Sequence, residues 1–185
     1  RVLLSVHRAW AERREEIGRS AAEMTAHLRN ASDVGRDREA SGPVSAGLLD
    51  QAAKALIRSL DVHHGGFGHA PKFPHPMNIR VLLRQHARTG DAQALHAATL
   101  TLGKMARGGI YDHLGGGFAR YATDTRWLVP HFEKMLYDQA LLARVYLHAW
   151  QLTGEPRYRQ PLDETIGYVL RDMRHPLGGF FSAED

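Results

Sequence analysis

Gly108-Gly109-Ile110-Tyr111 follows a segment of helical periodicity, and two other stretches do the same: Gly65-Gly66-Phe67-Gly68 and Gly178-Gly179-Phe180-Phe181. A glycine pair supplies positive φ at a helix exit, and the apolar residue after it turns the chain back into a core. Three copies of helix, Gly-Gly-aromatic loop and helix predict stacked helical hairpins. The copies start 43 and then 70 residues apart, too uneven for a regular solenoid. A toroid in which one connecting loop has lengthened accommodates that spacing, and lengthened loops are where function concentrates.

Working outward from these loops, the pattern is all-helical. Trp10, Ile17, Ala21, Met24 and Leu28 form one stripe, which predicts a single helix over 2–30 with Gly18 as its weak point. Residues 31–42 are polar and read as a linker, dividing the chain into 1–42 and 43–185. Ser45 is placed to cap a helix reaching about Leu60, with Leu48, Leu49, Ala52, Leu56 and Leu60 on its apolar face. A helix over 77–89 stops at Gly90, and Asp91 caps the next, which ends before Gly108. The loop over 108–130 is expected to hold a short β-hairpin, Phe118–Ala122 against Arg126–Val129, turning at Thr123-Asp124-Thr125. Helices over 131–153 and 156–174 follow. The first of these two is apolar almost all round, hence buried, with His131, Glu133, Lys134, Tyr137 and Asp138 crowded at its N-terminal end. That crowding points to a pocket there. At helical spacing Lys134 and Asp138 would form an ordinary ion pair, and Tyr137 would be a hydrogen-bonded core residue.

Composition narrows the chemistry. The 185 residues include 24 basic and 20 acidic side chains, a net charge of +4, 12 His and no Cys. Disulfides, thiolate zinc sites, iron–sulfur clusters and cysteine nucleophiles are excluded within this stretch. Residues 41–107 hold eight basic and three acidic groups, a mild bias rather than the clustered stripe of a nucleic-acid surface. No apolar run approaches the roughly 18 residues that span a bilayer. We therefore expect no nucleic-acid partner, no membrane association and a cytoplasmic location. The chain starts at Arg1 and stops at Asp185 inside a motif, so it reads as an internal piece of a longer polypeptide. Part of a toroid leaves an apolar face uncovered, to be closed by the rest of that polypeptide or by a second copy.

The richest segment runs from Tyr111 to Tyr121 and continues through Asp124, Trp127 and Pro130-His131-Phe132-Glu133-Lys134. Aromatic faces stack on sugar rings, and Asp, Glu and His move protons, so the set suits carbohydrate chemistry. The same residues also read as a polar core whose Asp, Arg and His satisfy one another and tie the hairpins together. His63, His64, His69 and His75 surround Pro71-Lys72-Phe73-Pro74 without the spacing of a zinc site. Gly66-Phe67-Gly68 lacks the third glycine of a dinucleotide loop, and there is no phosphate loop and no Gly-x-Ser-x-Gly elbow. No metal and no cofactor are expected.

Four blocks, Gly65 to Pro74, Gly108 to Tyr121, Trp127 to Asp138 and Gly178 to Asp185, together resemble the signatures of the spermatogenesis-associated protein 20 family, whose bacterial members are called thioredoxin-domain-containing proteins. The resemblance is dense over 43–185 and positional over 1–42. It implies a thioredoxin-like domain followed by an (α/α)6 toroid of the six-hairpin glycosidase type, similar also to sugar 2-epimerases such as N-acylglucosamine 2-epimerase. Residues 1–42 would be the last helix of the first domain with its linker, and 43–185 the first part of the toroid. Asp112, His113, Arg120, Tyr121, Asp124, Trp127, His131, Glu133, Glu184 and Asp185 match its motif positions, and Ala119 and Gln139 depart from it.

Two functions follow. One is a carbohydrate-active enzyme, epimerase or glycoside hydrolase, on a carbohydrate-like small molecule. His131, Glu133, His113 and Asp112 would be its catalytic groups, with Arg120, Tyr121, Asp124, Trp127, Phe73, Glu184 and Asp185 binding substrate. An epimerase needs one group to remove a proton beside a carbonyl and another to return it. A hydrolase needs two carboxylates about 5–5.5 Å apart for retention or about 6.5–9.5 Å for inversion. The other function is a non-catalytic binding or scaffold toroid serving a thioredoxin-like redox domain.

Overall fold

A computed structural model describes residues 2–33 and 45–185, and the chain divides into two units, Arg1–Val44 and Ser45–Asp185. Residues 34–42 of the expected linker lie outside the described residues.

In the first unit the expected single helix is two: α1 (Val2–Glu12) and α2 (Arg14–Asp33). The break is at Arg13, not Gly18, which lies inside α2 in open space. The backbone ladder nearly survives it: Arg13 N–H bonds Ala9 O, and Ile17 N–H bonds Arg13 O. Trp10, Met24 and Leu28 of the apolar stripe are exposed.

The second unit holds α3 (Ala46–Arg58), α4 (Pro76–Thr89), α5 (Ala92–Arg107), α6 (Leu136–Thr153) and α7 (Pro156–Tyr168), with a π-helical turn over Val169–Met173. Gly90 and Gly154 end α4 and α6 in the left-handed conformation, φ 75° and 70°, so each helix reverses at once into the next. The Asp91 carboxylate accepts the Gln93 and Ala94 N–H groups to start α5. Two antiparallel hairpins result, α4–α5 and α6–α7, packed side by side through α4 and α6. Ile79, Leu82 and Leu83 of α4 meet Leu102 and Met105 of α5 and Leu142, Val145 and Tyr146 of α6 in one core. Ala94, Ala97 and Ala98 keep α5 slim enough for close approach, and the buried Tyr146 hydroxyl donates to Leu102 O. Ser45 occupies the N-cap of α3 without a side-chain bond. That helix buries Ala53, whereas Leu48 and Leu49 of its expected apolar face are exposed.

The tight reversals lie at one end of the hairpins, so the long connections, 59–75 and 108–135, lie at the other. Each opens with the same closed loop. In the first, Asp61 N–H bonds Gly66 O and Gly65 N–H bonds Asp61 O, with Leu60 bridged to Phe67. In the second, Asp112 N–H bonds Gly117 O and Gly116 N–H bonds Asp112 O, with Tyr111 bridged to Phe118. A third, over 174–180, is a version one residue shorter with His175 in the aspartate's place: His175 N–H bonds Gly179 O and Gly178 N–H bonds His175 O, with Arg174 bridged to Phe180. The expected repeat is therefore real, but its middle copy is Gly116-Gly117-Phe118 rather than Gly108-Gly109-Ile110. Gly108 and Gly109 serve close packing: a Cβ on Gly109 would stand 2.1 Å from Leu128 O.

The first two loops also close on a lysine and an aromatic ring. The Lys72 ammonium donates to Asp61 Oδ2 at 2.7 Å and to Thr125 O, and lies 5.2 Å from the centre of the Trp127 ring. The Lys134 ammonium donates to Asp112 Oδ2 at 2.8 Å and to Gly116 O, and lies 4.2 Å from the centre of the Tyr168 ring. Both loops dock on the hairpin that follows, Gly65 against the Thr101 backbone of α5 and Gly116 against the Glu164 backbone of α7.

The expected β-hairpin forms in a later register. Strand β1 (Tyr121–Ala122) pairs antiparallel with β2 (Pro130–His131), Tyr121 opposite His131. Residues 124–129 form the turn, because the Asp124 carboxylate accepts the Arg126, Leu128 and Val129 N–H groups. Strand β3 (Lys134–Met135) pairs with β4 (Ala183–Glu184). The helix expected from His131 thus begins only at Leu136, since the backbone before it is spent on sheet pairing.

Candidate functional site

The lengthened loop and the N-terminal turn of α6 bring one set of polar residues together. Tyr121 is opposite His131, yet the Arg120 N–H bonds Glu133 O, one residue out of step with that register. The slip brings the side chains of Arg120 and Glu133 into a 2.9 Å ion pair. Tyr121 stacks on His131 at 4.7 Å between ring centres and lies tilted against Phe73, from the first long connection, at 4.8 Å. Phe73, Tyr121 and His131 therefore form a three-ring cluster centred on Tyr121 beside the Arg120–Glu133 pair.

Tyr137 and Asp138 complete the set from the first turn of α6. Tyr137 is half exposed rather than a core residue. Asp138 is only 8 % exposed, and its Oδ2 has no hydrogen-bond partner. Burial pushes this carboxyl up to about 6; Arg120 opposes the shift and Glu133 adds to it. Arg120 is held above its ordinary value, first by the bond to Glu133 and then by Tyr137, and its buried Nε also lacks a partner. The expected Lys134–Asp138 pair does not form, because Lys134 belongs to β3 and turns to Asp112. Asp138 is the residue that sequence reasoning undervalued. No local signal marks it, because its isolation depends on Lys134 lying in β3 and pairing with Asp112.

The other candidates lie elsewhere. Asp112 and His113 line a cleft of about 390 Å³ with Ala119, Pro130, Phe132 and Lys134. Burial alone would raise Asp112, but Lys134 and the Gly115 and Leu114 N–H groups overcome it and hold the carboxyl down at about 2. The His113 ring is bonded to Gly108 O. The Glu184 carboxylate takes the Tyr168 hydroxyl beside Lys134. Asp124 organises its turn. Trp127 is fully buried at φ 67°, its indole N–H donating to His64 O. Asp185 is exposed. Gln139 is internally satisfied, accepting from Phe118 N–H and donating to Phe118 O. Among the described residues no group of three or more His, Asp or Glu is placed to hold a metal, and no helix is long and apolar enough to cross a membrane.

Comparison with known proteins bears on both fold and site. No family model matches the chain. Spermatogenesis-associated protein 20 of Homo sapiens is 39% identical over 188 residues, covering all of this chain and 24% of that protein. The Rattus norvegicus protein of the same name is 37% identical over 188 residues, with the same coverage. The chain is a homologue of that protein along its whole length and spans about a quarter of the length of the curated relatives it matches. Among solved structures, a sugar epimerase from a ruminal bacterium superposes with TM-score 0.66 at 13% identity, over 75% of this chain and 40% of that one. Cellobiose 2-epimerase from Spirochaeta thermophila gives 0.60 at 20% identity, over 76% and 41%. An unsaturated glucuronyl hydrolase specific for heparin gives 0.61 at 11%, over 73% and 41%. The fold is that of part of an (α/α)6 toroid, the architecture of sugar epimerases and hydrolases.

Proposed function

We propose that this homologue of spermatogenesis-associated protein 20 forms part of a sugar-processing active site of the epimerase type, built on Arg120, His131, Glu133 and Asp138. The observation that carries the reading is Asp138: a buried carboxyl raised to about 6, with one oxygen unpartnered, beside an Arg–Glu pair and an aromatic cluster. A carboxyl poised near neutrality is suited to take and return protons. A sugar ring would stack on an exposed ring of the cluster, Phe73 or His131. One group, Asp138 or His131, would take the proton from the carbon next to the open-chain carbonyl. The electron pair moves onto the carbonyl oxygen, where the Arg120 guanidinium stabilises the negative charge. The other of the two then delivers a proton to the opposite face as the enolate collapses back to the carbonyl, which inverts the centre. The toroid folds of the solved epimerases support the architecture. We read residues 1–42 as the closing helical segment of a thioredoxin-like domain, here α1 and α2, with its linker, and the toroid as its partner within one polypeptide.

The test is exchange in D2O. The full-length protein, incubated with reducing mono- and disaccharides, is expected to place deuterium at C2, read by NMR. Asp138→Asn and His131→Ala are expected to lower that rate by at least about 100-fold while circular dichroism stays unchanged. No exchange with any sugar, together with unchanged sugar binding in both variants, would refute the reading and leave the toroid as a scaffold.

A further inference from the structure

The exposed side of α4 and α6 carries a cluster of positive charge that the chemistry above does not use. On α4, Met77, Arg80 and Arg84 recur at steps of three and four; on α6, Tyr137, Arg144 and His148 recur at seven and four. Each set is one stripe of its helix. The α6 stripe starts at Tyr137, in the candidate site, and α4 starts just after Phe73 and His75 of the same end. At 1.5 Å per residue the charges lie roughly 6 to 18 Å from that end. Arg84 and Arg144 are exposed, and Arg80 and His148 are half-buried. Arg84 and His148 line a cavity of about 300 Å³ with Leu83, Ala87, Gln151 and Leu152.

Among the described residues no acid is paired with the cluster. Arg80 is held below its ordinary value by Arg144 first and Arg84 second, and its buried Nε has no hydrogen-bond partner. His148 is lowered by burial, then by Arg144, Arg80 and Arg84. Among the described residues none of Arg80, Arg84 and Arg144 is in an ion pair, whereas Arg88, one turn further along α4, is paired with Asp50. Unpaired guanidinium groups, one of them Arg84 at the edge of a cavity, match the planar anions that arginine binds with two parallel bonds.

We propose that the substrate is an anionic sugar, its carboxylate or phosphate held by Arg80, Arg84 and Arg144 while the reacting end occupies the Arg120–Asp138 site. This rests on the epimerase reading above. The three arginines lie roughly 6 to 12 Å along their helices from that end, which suits a disaccharide better than a monosaccharide, with the anionic group on the residue remote from the reacting carbon.

The experiment is calorimetric titration of the full-length protein with three probes: cellobiose, the disaccharide in which its non-reducing glucose is replaced by glucuronic acid, and cellobiose 6′-phosphate. The charged probes are expected to bind at least about tenfold tighter than cellobiose at low salt, with the advantage fading as salt rises. Arg84→Gln/Arg144→Gln is expected to bring the ratio to about one. Which charged probe binds tighter separates a carboxylate from a phosphate substrate. An equal affinity for all three, or a charge preference surviving in the double variant, overturns the proposal. So does a variant that loses melting temperature while keeping the preference, since the arginines would then be holding an acidic segment of protein. Deuterium exchange on the same probes separates the two readings. Exchange without charge preference refutes the anion site alone, and arginine-dependent binding without exchange refutes the epimerase reading alone.

Discussion

The two closed loops are built alike and used differently. Asp61, Gly65-Gly66, Lys72 and Trp127 form one; Asp112, Gly116-Gly117, Lys134 and Tyr168 form the other. In the first, five residues separate the second glycine from the lysine, and in the second, sixteen. Arg120, Tyr121, His131 and Glu133 all fall in that longer stretch. The site is thus an excursion between two halves of a structural lock. The comparison also assigns the shared parts: an aspartate with a counterpart in a loop that lacks the excursion is first of all a fastening. The locks differ in exposure. The Lys72 side chain is wholly buried and Asp61 is 21% exposed, against 15% and 36% for Lys134 and Asp112.

The strongest way to break the equivalence is at the glycines. Gly66 has φ 79°, and a Cβ there would stand 2.5 Å from the Trp127 ring; Gly117 has φ 81°, and its Cβ would stand 2.7 Å from the Tyr168 ring. Gly66→Ala and Gly117→Ala should each cost about 3 kcal/mol or more in urea unfolding, from backbone strain plus overlap. Gly68→Ala, at φ 79° with open space around it, should cost only about 1 kcal/mol. Equal losses at all three would mean that packing against the rings is irrelevant.

The next effect separates the locks by burial. Lys72→Met should cost about 3 kcal/mol, because it strands a mostly buried carboxylate. Lys134→Met, in the more exposed pair, should cost about 1 kcal/mol. Reversed magnitudes in denaturant melts would show that the second loop is the structural one.

Acid gives a smaller, signed effect. Asp61 and Asp112 are both held at about 2, where the lysines and loop N–H groups overcome burial, against 3.8 for the free side chain. Their stabilisation is complete above about pH 4 and disappears as pH falls through 2. Asp138 acts in the opposite sense. With its pKa raised from 3.8 to about 6, the folded protein binds the extra proton between those values, so stability declines as pH rises across that window. Asp138→Asn should remove that decline and leave the acid limb below pH 4 intact. Melting temperature against pH, for both proteins, checks it.

Much of this architecture was legible. Gly90, Asp91 and Gly154 act through local backbone chemistry, so α4, α5 and the end of α6 followed from their neighbours in sequence. The glycine repeat was visible too, but glycine has two uses, and Gly108-Gly109 is there for close approach to Trp127 and Leu128 rather than for a turn. The aspartate four residues before Gly65 and Gly116 was the discriminating mark. The start of α6 was hidden because pairing with Arg120, Ser182 and Glu184 is non-local, and a helix wheel drawn from His131 cannot see it. The same error mispaired Lys134 with Asp138 and so concealed the unpartnered carboxyl.

The docking of each loop on the hairpin that follows has a consequence for the order of synthesis. The first lock needs Thr101 and Trp127, and the second needs Glu164 and Tyr168. On a ribosome, a loop already made cannot finish until the hairpin after it has emerged. Stability is handed backward as the chain grows forward, and Trp127 is the residue whose arrival seals what came before it.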